Sequence, residues 1–229
     1  MYNFFFFDLD DTLWDFHSNA RNSLMQIYEH RGLQQHFESF DTFFSIYAKK
    51  NIELWEAYGN GEITKTYLMK ERFRYPLSRM GIDDTALAEE IGHQYLEILP
   101  TQKKMMPHSR EVLEKLSEKF PLTLISNGFT DTQHKKIDSS GIRHYFNHII
   151  LSEEAGYLKP DTRIFELALK LNGASKNETL MIGDSWAADI VGAASAGIDQ
   201  VYYRANKNFP ENQPATYKMA DLREIFSLL

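Results

Sequence analysis

Near its start the chain runs four phenylalanines, Phe4 to Phe7, straight into Asp8-Leu9-Asp10-Asp11-Thr12. An apolar run with no polar alternation suits a strand covered on both faces, as in a parallel sheet between layers of helices. Asp8 and Asp10 fall where that strand must end, so two carboxylates at i and i+2 crowd negative charge there. Such crowding is relieved only by a cation or by a raised pKa. On its own the stretch also reads as a solvated turn whose acids cap a helix.

Between Trp14 and Pro100 no strand pattern occurs. Apolar residues at helical spacing predict helices over 18–30, 40–58, 64–80 and 84–99, punctuated by Gly32, Gly59-Asn60-Gly61 and Gly81. The polar segment between Pro100 and Pro107 reads as a connector. Beyond it, helical patterns at 109–119, 131–140, 162–171 and 187–196 alternate with apolar strands at 122–125, 148–151, 179–182 and 200–203, and 221–229 reads as a closing helix. That alternation is the signal of βαβ units and a parallel sheet. The expected fold is therefore α/β: a Rossmann-like parallel sheet flanked by helices, formed by 1–14 and 105–229, with an all-helical domain over 15–104 inserted after the first strand.

Asp8, Ser126, Glu153 and Asp184 each fall within two residues of the C-terminal end of an apolar strand. In open parallel sheets ligands bind outside the carboxyl ends of the strands, so residues far apart in sequence converge on one rim. Asp8, Asp10 and Asp184 offer hard oxygen ligands suited to Mg²⁺. The chain has 0 Cys, which removes thiolate metal sites and cysteine nucleophiles, and its 8 His show no paired spacing such as HExxH. Lys159 precedes Pro160 and is thereby pushed toward an extended backbone that could project its ammonium inward. There it would keep Asp8 ionised and offset charge on a transferring group. Ser126, Asn127 and Gly128 make an oxyanion cradle of a hydroxyl, backbone N–H groups and a glycine that permits close approach. Singly, each motif reads as an ordinary turn, loop or cap; together, in this order and all at strand ends, they read as a site.

A net charge of −7 and a pI near 5.6 argue against nucleic acid or an anionic membrane as partner. No apolar stretch approaches the ~20 residues that span a bilayer, and the acidic strand end at Asp8 leaves no room for a signal peptide. The expectation is a cytoplasmic enzyme with a local phosphate site and a small-molecule substrate.

Asp8-Leu9-Asp10-Asp11-Thr12, Ser126-Asn127, Lys159-Pro160, and Gly183-Asp184-Ser185 with Asp189 beyond them together resemble the four motifs of the haloacid dehalogenase-like superfamily of phosphotransferases. The resemblance implies that the Asp8 strand is central in the sheet and that the helical region after Trp14 is the family's cap. It further implies Asp8 as nucleophile, Asp10 as general acid/base, Ser126 and Lys159 as phosphate binders, and Mg²⁺ held by Asp8, the Asp10 carbonyl and Asp184, with Asp189 supporting the metal shell. Dehalogenases of the superfamily lack the second acid, so Asp10 favours phosphate over halide chemistry.

Asn127-Gly128-Phe129-Thr130, Ser152-Glu153-Glu154-Ala155-Gly156 and the stretch from Leu54 to Thr64 look like the branch of 5′-nucleotidases acting on pyrimidine and non-standard nucleoside monophosphates. The size and helical character of the cap fit phosphoglycolate and sugar-phosphate phosphatases as well, and a phosphate-binding regulatory module without catalysis is a third class. Trp14 and Phe16, with Trp55 and Tyr58 in the inserted domain, are aromatic candidates for contact with a nucleobase. Core packing is the other reading of all four.

Overall fold

A computed structural model describes residues 1–204, 209, 212 and 214–229. Its strands are β1 (Phe4–Phe7), β2 (Leu122–Ser126), β3 (His148–Leu151), β4 (Thr179–Gly183), β5 (Asp199–Tyr203) and β6 (Tyr217–Met219). They form one sheet in the order β3-β2-β1-β4-β5-β6, every pair parallel. From β1 the chain steps outward through β2 to β3 and then returns to place β4 on the other side of β1. The strand order thus reverses between β1 and β4, the point at which open α/β sheets leave a crevice outside their carboxyl ends.

The phenylalanine run is buried because β1 is an inner strand with both faces covered: Phe5, Phe6 and Phe7 are all 0 % exposed. Phe6 joins Ile125 and Met181 in a core shared with Ile164, Phe165 and Ala168 of helix Thr162–Asn172. Phe5, pointing to the opposite face by the two-residue period of a strand, meets Phe120 edge to face with ring centroids 5.1 Å apart. Truncating a buried phenylalanine of this kind to alanine costs about 3–5 kcal/mol.

The chain divides into two compact units, one made of Met1–Phe16 with Lys103–Leu229 and the other of His17–Gln102. The second contains no strand and is built from α1 (Phe16–His30, from His17 on), α2 (Phe40–Gly59), α3 (Lys65–Arg79) and α4 (Thr85–Ile98). Ser39, Thr64 and Asp84 accept the Thr42, Tyr67 and Leu87 N–H groups and so cap α2, α3 and α4. Its core is aromatic: Tyr47 stacks on Phe73 with centroids 5.5 Å apart, and the Tyr47 hydroxyl donates to that of Tyr95 at 2.9 Å. Among the described residues no helix is long and apolar enough to cross a membrane.

Three details depart from the sequence expectation. The segment expected as one helix over 187–196 is a π-helix, Trp186–Val191, followed by a single α turn, Gly192–Ser195. The closing helix is 3₁₀, Leu222–Leu228, with Asp221 and Glu224 forming its capping box. Strand β6 was not expected, since three residues on a sheet edge are too few to show a period.

Candidate active site

Beyond β1 the backbone turns sharply. Among the described residues Asp11 is one of two non-glycine residues with positive φ, at 59°, a conformation that aspartate tolerates better than most residues. The turn leaves Asp8, Asp10 and Thr12 at the carboxyl end of β1. The Asp8 N–H continues the ladder to the Ile182 carbonyl at 2.9 Å, which ties it to β4. Asp184, one residue past the end of β4, accepts from the Thr12 hydroxyl at 3.4 Å.

Lys159 is the hub of this rim. Its ammonium donates to Asp8 Oδ1 at 2.7 Å and to the Ile125 carbonyl at 2.7 Å, and it lies 2.7 Å from Asp189 Oδ1. Burial alone would lower its pKa, but the carboxylates of Asp189 and Asp8 outweigh that and hold it raised. Asn127 fixes the backbone that carries this side chain: Nδ2 donates to the Lys159 carbonyl at 2.8 Å and Oδ1 accepts the Lys159 N–H at 2.8 Å. The Asn127 side chain is thus engaged in holding Lys159, and the cradle expected from its backbone N–H does not call on it.

One carboxylate oxygen from each of Asp8, Asp184 and Asp189 lies within 4.8 Å of the other two. Burial pushes the Asp8 carboxyl up to about 7, against the pull of Lys159 and helped by the charges of Asp189 and Asp10. Burial likewise raises Asp184, with Asp8, Asp189 and Asp11 adding to the effect. Three clustered carboxylates against one buried ammonium leave negative charge uncompensated. An all-oxygen donor set with that imbalance fits a hard divalent cation such as Mg²⁺. Asp189 is already committed, its Oδ2 accepting the Ser185 N–H at 3.0 Å while Oδ1 faces Lys159, which suits support of the cluster. Gly183 makes room for it: a Cβ on Gly183 would lie 2.3 Å from Asp189 Oδ2.

Asp10 faces a different set of partners. Lys136 Nζ donates to both of its oxygens, at 2.8 and 2.9 Å, and Gln133 Nε2 donates to Oδ2 at 2.9 Å. Both residues come from helix Thr130–Ser139, which starts four residues after Ser126. Gln133 Nε2 also donates to Ser126 Oγ at 2.6 Å, which accepts the Gly128 N–H at 3.2 Å as well. With two bonds accepted, the Ser126 hydroxyl keeps its own proton to donate. Gly128 permits this close approach, since a Cβ there would lie 2.3 Å from Gln133 Cδ. Neither Gln133 nor Lys136 was singled out from the sequence. The available signal was that they occupy, with Ile137, the buried i, i+3, i+4 stripe of an amphipathic helix.

Trp14 is 0 % exposed, and the Lys136 ammonium lies over its ring at 4.6 Å and over that of Phe16 at 5.3 Å. Trp55 and Tyr58 lie in the helical unit, half-buried, and meet edge to face with centroids 5.8 Å apart. Glu153 caps the Thr130 helix, its Oε2 accepting the Thr130 N–H at 2.7 Å.

The haloacid dehalogenase-like hydrolase family profile matches residues 2–197. Over its full length the chain is 32 % identical to pyrimidine 5′-nucleotidase PynA of Streptococcus pneumoniae, 95 % of which is covered. It is 29 % identical, again over its full length, to pyrimidine 5′-nucleotidase YjjG of Escherichia coli, with 98 % covered. The magnesium-bound crystal structure of the HAD-hydrolase YfnB of Bacillus subtilis matches with a TM-score of 0.88 at 26 % identity, over 100 % of this chain and 98 % of that one.

Proposed function

Because the chain belongs to the haloacid dehalogenase-like hydrolases, we propose that it is a cytoplasmic, Mg²⁺-dependent phosphomonoesterase that hydrolyses nucleoside 5′-monophosphates through an aspartyl-phosphate on Asp8. Residues 1–14 and 105–229 would form the catalytic core and 15–104 the helical cap that governs substrate choice. The observation that carries the reaction class is the second acid: Asp10, two residues past Asp8, is linked through Gln133 to Ser126 in the same rim. The nucleotide preference is supported by full-length similarity to two pyrimidine 5′-nucleotidases.

In this mechanism Asp8 Oδ1 is held by Lys159, and Oδ2 attacks phosphorus as the bond to the leaving oxygen breaks. Asp10 gives its proton to that oxygen, then takes one from the water that hydrolyses the aspartyl-phosphate, so one carboxyl serves both half-reactions. The Ser126 hydroxyl donates to a phosphoryl oxygen, and the Lys159 ammonium offsets negative charge on the transferring group. Asn127 keeps Lys159 in place through its backbone. Mg²⁺ held by Asp8, Asp184 and the Asp10 carbonyl, with Asp189 in support, would neutralise charge between the carboxylates and the substrate phosphate. Phe16 is the aromatic candidate for base contact, while the fully buried Trp14 carries Lys136 on its ring.

The test is a phosphomonoester panel with purified enzyme and Mg²⁺. Nucleoside monophosphates are expected to lead in kcat/KM over phosphoglycolate and hexose phosphates. A panel led by sugar phosphates would replace the nucleotidase reading with a sugar-phosphate phosphatase. No turnover of any ester, including p-nitrophenyl phosphate, would leave a phosphate-binding module.

A further inference from the structure

Lys136 is 3 % exposed, an unusual place for an ammonium unless it is paired. Its partner is the carboxylate of Asp10, 126 residues away in the chain, gripped at both oxygens. The rings of Trp14 and Phe16 hold the ammonium from the side, at 4.6 and 5.3 Å, a cation–π arrangement that fixes the charge without competing for its protons. A second donor on the same helix, Gln133, joins Asp10 to Ser126. An aspartate side chain has only two rotatable bonds, and donors on both of its oxygens select one arrangement of them.

We propose that Lys136 is the positioning residue for the acid/base carboxylate of Asp10, an inference that rests on the phosphomonoesterase reading given above. Lys136, with Gln133, holds that carboxylate in one orientation at the rim and offsets the negative charge Asp10 carries once its proton has gone to the leaving oxygen. A purely structural ion pair would stabilise the fold without caring which leaving group departs. A positioning role is felt most where the leaving oxygen needs a proton.

The experiment compares kcat/KM, which covers the steps up to release of the first product, for a nucleoside monophosphate and for p-nitrophenyl phosphate, whose leaving group departs as its anion. Asp10→Asn and Lys136→Met are each expected to lower kcat/KM on the nucleotide by roughly 10²-fold or more. The loss on p-nitrophenyl phosphate is expected to stay under about tenfold, since proton transfer there contributes little. Lys136→Arg should recover part of the loss, and the double variant Asp10→Asn/Lys136→Met should be no worse than Asp10→Asn alone, as for residues acting through one group. If Lys136→Met does not fold, Lys136→Gln, which keeps a donor and loses the charge, gives the same comparison. Equal losses on both esters in folded Lys136 variants, beside a leaving-group bias in Asp10→Asn, would overturn the positioning role. Absence of that bias in Asp10→Asn itself would remove the acid role of Asp10 and, with it, the premise of the proposal.

Discussion

The ammonium of Lys159 lies 2.7 Å from Asp8 Oδ1, with 2 % of the lysine side chain exposed. At that depth solvent screens the pair poorly, and Asp189 Oδ1, also 2.7 Å from the nitrogen, shares the same charge. Removing one partner of such a buried pair leaves the others uncompensated and costs about 3–5 kcal/mol.

Lys159→Met is therefore expected to lower both stability and turnover. Chelator-treated variant should melt well below chelator-treated wild type, and turnover should fall far more than for a surface lysine variant. Thermal melts and steady-state rates on the same preparations check this. An unchanged rate in folded protein would shift the phosphate-facing charge to another cation. Arg204 would be the first to examine, although its Nη1 already donates to the Tyr202 hydroxyl at 2.8 Å.

Divalent metal should stabilise the protein increasingly as pH rises. Asp8 is raised from 3.8 to about 7 in the folded, metal-free chain, and Asp184 is raised too. A carboxyl with a raised folded pKa contributes stability that is full below its unfolded pKa and is lost as pH rises through the folded one. Between those limits the metal-free protein loses stability, whereas metal binds the ionised carboxylates and opposes the loss. The Tm gain on adding Mg²⁺ to chelator-treated protein should accordingly grow between about pH 5 and about pH 8. A gain independent of pH would show that Asp8 and Asp184 do not meet the metal.

Asp8→Asn removes the attacking oxygen and should abolish turnover on every ester. Beryllium fluoride, which mimics phosphoryl bound to a carboxylate, should inhibit the wild type in the presence of Mg²⁺ and leave the Asp8→Asn fold unaffected in a melt. Substantial hydrolysis by Asp8→Asn would rule out the covalent route.

Gly183→Ala tests the packing beneath the site. The added Cβ would lie 2.3–2.4 Å from three Asp189 atoms, closer than real contacts allow, so Asp189 must shift from the position in which it meets Lys159. Overpacking of this kind costs about 1–3 kcal/mol, and turnover should drop along with the Tm. An active variant of normal stability would mean that Asp189 can be displaced without consequence.

Phe16→Ala should raise KM for nucleoside monophosphates while barely affecting p-nitrophenyl phosphate, because an aromatic face on a base is worth roughly 1–3 kcal/mol per stacked base. Trp14→Ala is expected to behave differently. Its ring is 0 % exposed, whereas Phe16 is half-buried, so loss of the indole should reduce stability and injure both substrates. A KM effect confined to nucleotides in Trp14→Ala would place the indole on the base after all.

Local patterns made much of this protein legible from its sequence. Four phenylalanines followed by Asp8 announce an inner parallel strand and the place where it ends, and the same grammar locates Ser126 and Asp184. The run of helical periods between Trp14 and Pro100 shows no strand pattern, and absence of alternation is itself a local signal. Lys159 before Pro160 could be singled out, but not the double bond from Asn127 that holds it, because no spacing rule links side chains 32 residues apart. The pairing of Lys159 with Asp8 is expected from the sequence; only the tertiary structure decided which cation serves Asp189 and Asp10. Lys159 faces Asp8 and Asp189, whereas Lys136, an ordinary helix residue by sequence, faces Asp10. Charge pairing in a buried site depends on where several elements meet in space, and burial, which makes those pairs matter, is set by all of the surrounding chain at once.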